Sequence, residues 1–146
     1  MAITTEMCNS FKQELLGGVH DLDTDTIKLA LIKDTPSGTY GKATNNYSNI
    51  TGNSDEATGT GYTAGGQALG GAVISLDGDT AILDFTVDEV FANVTVAADG
   101  CIIYNASQAN KAIAVIDFGG TVSATAGDLT IEFPAAAAAT AVIRIA

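Results

Sequence analysis

Apolar positions recur with a period of two over most of the chain. In IKLALIK, residues 27–33, Ile27, Leu29 and Leu31 fall on one face and Lys28, Ala30 and Ile32 on the other, the spacing of a strand. ALGGAVISL runs into Asp77-Gly78-Asp79, and TAILDFTV returns with Ala81, Leu83, Phe85 and Val87 inward and Asp84 outward. Asp-Gly between two alternating segments predicts a tight hairpin. VFANVTVA then leads to a second predicted turn at Asp99-Gly100, which opens CIIYN, and NASQANK makes a polar turn before the apolar run AIAVIDFGG. A run apolar on both parities predicts a strand covered on two faces. LTIEF alternates again before Pro134, Ala135 to Ala139 stays unassigned, and AVIRIA closes the chain as a strand.

One helical pattern stands apart, within residues 1–18. Met7, Phe11 and Leu15 recur at i, i+4 and i+8, Thr4 or Thr5 can cap the first turn beside Glu6, and Gly17-Gly18 ends the helix. So short a helix is marginal alone in water, so Phe11 and Leu15 are expected to dock it on the domain or on a neighbour. About eight strands with frequent Gly or Asn turns and one terminal helix predict an all-β chain, a jelly-roll-like β-sandwich forming a single domain over 1–146.

Between these strands lies a long stretch, 34–66, with almost nothing to build a core from: DTPSGTYGKATNNYSNITGNSDEATGTGYTAGG. Compact domains seldom carry so long a connection unless it is a binding loop or arm, or is disordered. Tyr40, Tyr47 and Tyr62 are spaced through it, and tyrosine offers large contact area at low entropy cost. The expectation is an arm that packs on a neighbouring copy through these three residues. The alternative is that they pin the loop to its own domain.

Composition sharpens this. The chain is 47% hydrophobic and 16% charged, against about 25% charged for an average soluble protein, so some surface is expected to be buried against partners. Seventeen acids against six bases give a net charge of -11, which repels phosphate backbones and anionic lipid. Neither nucleic acid nor membrane is expected as a partner. The N-terminus lacks a cationic start and carries Glu6, Lys12 and Glu14, so it does not read as a secretory signal, and synthesis in a cytoplasm is expected. Cys8 and Cys101 lack metal-ligand spacing and are read as buried thiols.

No catalytic constellation emerges, and the chain is expected not to be an enzyme. His20 is the sole histidine, with no GxSxG elbow anywhere, and neither Gly41-Lys42 nor GGQALGG completes a phosphate-binding motif. Asp21, Asp23 and Asp25 copy the first three ligand positions of a calcium loop, but Thr26 stands where Gly belongs and Ile32 where the bidentate Glu belongs. No cofactor is expected. A small carbohydrate- or calcium-binding module is the alternative from another class.

The chain resembles a family of small virion structural proteins of tailed bacteriophages. The resemblance runs through FKQELLGGVH, DTIKLALIK, the loop ending GTGYTAGGQALGG, and VFANVTVAADGCIIYNASQANKAIAVIDFGG with LTIEFP and AVIRIA. It implies a structural component of the virion, on the capsid exterior, with the major capsid protein and further copies of itself as partners. Similar β-sandwich proteins act as capsid decoration or cement proteins; a tail, fibre or head-fibre subunit contacting the host surface is the alternative within the same resemblance.

Overall fold

The computed structural model describes residues 2–146. The described residues form ten strands and two short helices in the order β1 (Ala2–Ile3), β2 (Glu6–Met7), α1 (Asn9–Leu16), β3 (Ile27–Lys33), β4 (Thr39–Tyr40), α2 (Ser48–Gly52), β5 (Gln67–Ala68), β6 (Ala72–Asp77), β7 (Thr80–Phe85), β8 (Glu89–Asn105), β9 (Lys111–Ile131) and β10 (Ile143–Ile145). The protein is mostly β, with two antiparallel sheets ordered β2-β9-β8-β3-β5 and β10-β7-β6, and a small parallel pair β1-β4. Leu29, Leu31, Ile102, Ile103, Ile113 and Val115 of the larger sheet and Leu83, Phe85 and Ile143 of the smaller one join one buried cluster.

The hairpin at Asp77-Gly78 forms as its turn chemistry predicts: Asp77 pairs with Thr80, and Gly78 takes φ 62°, a conformation glycine adopts without penalty. The same dipeptide at Asp99-Gly100 makes no turn, which corrects the expectation there. β8 runs straight through it as one strand of 17 residues, and Asp99 is extruded as a bulge between Ala98, paired with Lys33, and Gly100, paired with Ile32. Its carboxylate accepts bonds from the Thr35 N–H and the Thr121 hydroxyl, while a Cβ at Gly100 would strike the Ile116 carbonyl. Here glycine serves close strand approach rather than a reversal. AIAVIDFGG and LTIEF likewise merge into the 21-residue β9, interrupted near Gly119 and Gly120.

The helix is shorter than the periodicity implies. Neither Thr4 nor Thr5 caps it; Cys8 is its N-cap residue, without a side-chain capping bond. Glu6 and Met7 pair instead with Val115 and Ala114 on the edge of β9, and the Cys8 N–H continues that ladder to the Ile113 carbonyl. Sheet pairing satisfies backbone groups that a first helical turn would leave open, and Gly17 then ends the helix as expected. Ala135–Ala139 forms no helix; the segment is tied down by the Asp77 carboxylate, which accepts the Ala138 N–H, and by Arg144, which donates to the Ala139 carbonyl.

A candidate interaction surface

The long polar stretch builds a small polar core of its own around two adjacent carboxylates, Asp55 and Glu56. Asp55 is 0% exposed and accepts from the Ser37 and Gly38 N–H groups, the Ser37 hydroxyl, the Tyr40 hydroxyl at 2.6 Å and the Lys33 ammonium at 2.9 Å. Burial alone would raise its pKa, but these donors outweigh that and hold the carboxyl well below its ordinary value. Glu56 accepts from the hydroxyls of Tyr47 and Tyr62 and from the Gly65 N–H. Tyr62 also accepts the Leu31 N–H, and Tyr47 stacks on Tyr104 with centroids 4.7 Å apart. Burial and the Asp55 acceptor push the Tyr40 phenol up to about 12.

The three tyrosines therefore pin the segment to its own domain, the second of the two readings of the sequence. Tyr40 is buried, and Tyr47 and Tyr62 spend their hydroxyls on Glu56. With few apolar residues beyond Ile50 and Ala57 to bury, the segment is held largely by charge-assisted hydrogen bonds. Asp55 and Glu56 are what the sequence reading missed. The available signal was two consecutive acids in a stretch with three phenols and little else capable of internal contact.

The same segment guards a sheet edge. Lys33 and Ala57 exchange backbone bonds with Asp55 and Leu31, Glu56 bridges Ile32, and β5 pairs with Lys28 and Leu29. Gly66, at φ 69°, lies so close to β3 that a Cβ would run into the Leu29 carbonyl. The open edge of β3 is thus covered from within the chain.

Phe11 is also spent internally: it is fully buried and meets His20 edge-on at 5.0 Å. His20 receives the Asn105 amide at Nδ1, which leaves Nε2–H to donate to Glu14 at 2.8 Å. Glu14 also binds Lys111 at 2.8 Å. Asp25 accepts from Asn105, Gln108 and the Asp21 N–H, so Asp21, Asp23 and Asp25 brace a turn. Among the described residues, no group of three or more His, Cys, Asp or Glu side chains stands placed to hold a metal ion.

Leu15 goes elsewhere. It lines an open groove of about 340 Å³ with Leu22, Ile74, Ala81, Ile143 and Ile145, next to Leu16, which is 93% exposed. The far wall of this groove is the smaller sheet, and its edge strand β6 is exposed at every residue. Ile74 is 54% and Leu76 74% exposed. A second apolar groove, about 560 Å³, runs beside β9 past Phe118, Leu129 and Phe133. Exposed apolar side chains on an open strand edge make this face the candidate interaction surface.

Comparison with protein-family models, with curated proteins and with solved structures finds no match to this chain.

Proposed function

We propose that this chain is a nonenzymatic structural protein of a tailed-phage virion, a capsid decoration or cement protein that binds the major capsid protein lattice and further copies of itself. In this reading the two antiparallel sheets are the layers of a jelly-roll-like β-sandwich forming one domain. The observation that carries the assembly role is β6, an edge strand exposed along its whole length with Ile74 and Leu76 open to solvent. The virion setting rests on the sequence resemblance, and the charge of -11 suits a component working beside packaged DNA without adhering to it. Many modest contacts repeated over a lattice give strong attachment through effective concentration.

Cryo-electron microscopy of the virion tests the reading. Density for this fold on the head lattice is the expected result. Density on the tail or fibres would move the function to adsorption or tail assembly, and absence from the particle would overturn the virion role.

A further inference from the structure

β6 differs from the other strands that end the two antiparallel sheets in length, exposure and regularity. It pairs with β7 over six residues without a register shift, whereas β10 at the opposite edge has three residues and β2 and β5 have two each. Edge strands are normally blunted by lysine, proline, bulges or a covering segment. β6 reads AVISLD and has none of these. Its one charge, Asp77, already accepts the Ala138 N–H.

The hairpin geometry fixes which backbone groups are open. Asp77 and Thr80 flank a two-residue turn and form a hydrogen-bonded pair, so Ser75 and Val73 also bond to β7, and the Thr86 N–H bonds the Gly71 carbonyl in the same phase. Ala72, Ile74 and Leu76 therefore direct their N–H and C=O groups to the open side. Their side chains share the face of Leu83, Phe85 and Ile143, by direct pairing and period-two alternation.

We propose that β6 pairs antiparallel with β6 of a second copy about a two-fold axis through Ile74, joining the two small sheets into one of six strands. This places a surface on the self-association proposed above and rests on that part of the reading alone. In this register Ile74 meets Ile74, Ala72 meets Leu76 and Leu76 meets Ala72, so all three open residues on each copy are hydrogen-bonded. An axis at Ser75 or Val73 would bond only two of them within the strands. The chosen register sets small Ala72 against large Leu76 and continues the row Ile143, Leu83, Ile74 across the axis. It also puts Asp77 opposite Gly71, so a chain of net charge -11 brings no like charges face to face. Isologous use of one patch by both copies is the commonest form of oligomer symmetry.

Cysteine scanning tests both surface and register on the full chain. Ile74 pairs with itself at a Cα separation of about 5.5 Å, within disulfide reach, and the native thiols Cys8 and Cys101 are both buried. Ile74→Cys is expected to give a disulfide-linked dimer under mild oxidation, while Ser75→Cys alone gives far less and Val73→Cys combined with Ser75→Cys links well. Sedimentation should show a dimer that Ile74→Lys converts to monomer, with circular dichroism showing the fold retained. A wild-type chain monomeric into the millimolar range, or a dimer untouched by Ile74→Lys, would overturn the proposal; stronger linkage by Ser75→Cys than by Ile74→Cys would overturn its register. Particles that keep the protein while the wild-type chain is monomeric in solution and Ile74→Cys fails to cross-link would sink the edge pairing and spare the virion reading. A dimer from a protein absent from particles would do the reverse.

Discussion

At the residue scale, the weight falls on Asp55. Five donor atoms converge on a carboxylate with no solvent access, so removing one donor leaves the charge partly uncompensated rather than free to hydrate. Tyr40→Phe is expected to cost about 2 kcal/mol, the scale of a hydrogen bond to a buried charge. Asp55→Asn, which removes the charge opposite Lys33 and replaces one of the two acceptor oxygens with an NH2 group facing buried donors, is expected to cost about 3 kcal/mol. Tyr62→Phe orphans the Leu31 N–H on β3 and should cost about 1–3 kcal/mol. Urea unfolding of the three variants checks the order; a Tyr40→Phe chain as stable as wild type would show that the Asp55 cluster contributes little. For a chain of this size each kcal/mol corresponds to about 2–4 °C in Tm.

At the element scale, residues 34–66 are part of the fold rather than an appendage. Replacing 37–65 by a short flexible linker is expected to destroy cooperative unfolding, because it uncovers the β3 edge and removes the phenols that pack on Tyr104 and Phe91. Gly66→Ala is the milder probe; it combines φ 69° with a blocked approach to Leu29 and should cost at least about 2 kcal/mol. A truncated chain that still unfolds cooperatively would restore a detachable arm. The sequence made local features legible: alternation gave β3, β6, β7 and β10, and Asp77-Gly78 gave a hairpin because, among the described residues, β6 has no strand partner but β7. Asp99-Gly100 carries the same signal but sits where Ile102 and Ile103 pair with both β3 and β9, so long-range pairing overrode turn propensity. Glu6 and Met7 left the predicted helix for the same reason. The role of Asp55 was hidden because an acid in a polar stretch reads as solvated. The exposure of β6 was hidden because its alternation matches that of β7, which is largely buried.

At the scale of the whole molecule, buried and half-buried carboxylates of opposite character set how stability depends on pH. Asp55, Glu14 and Asp25 have pKa values lowered in the folded state by hydrogen bonds and by neighbouring cations. Their contribution is complete above the unfolded value of about 4 and is lost as pH falls toward their folded values. Asp84 and Glu89 are pushed the other way by burial. Asp84 is 1% exposed, its Oδ1 accepts only the neighbouring Phe85 N–H, and its Oδ2 has no partner. Above their raised folded values these two groups are buried anions that cost stability, and the cost is relieved as pH falls through those values and is gone near 4. Stability should therefore rise as pH falls through the raised values of Asp84 and Glu89 and fall again below about pH 4, where the lowered groups begin to lose their contribution. Asp84→Asn removes one titrating group, so the stability difference between wild type and variant should move in favour of wild type as pH falls, by at most about 1.4 kcal/mol per pH unit. Urea midpoints from pH 4 to pH 8 test this directly, since parallel curves for the two proteins would mean that Asp84 titrates alike in the folded and unfolded chains. The Asp84 and Asp55 effects then separate cleanly by sign: the loss below pH 4 persists in Asp84→Asn and shrinks in Asp55→Asn, because only the second variant has already given up the carboxylate on which residues 34–66 are anchored.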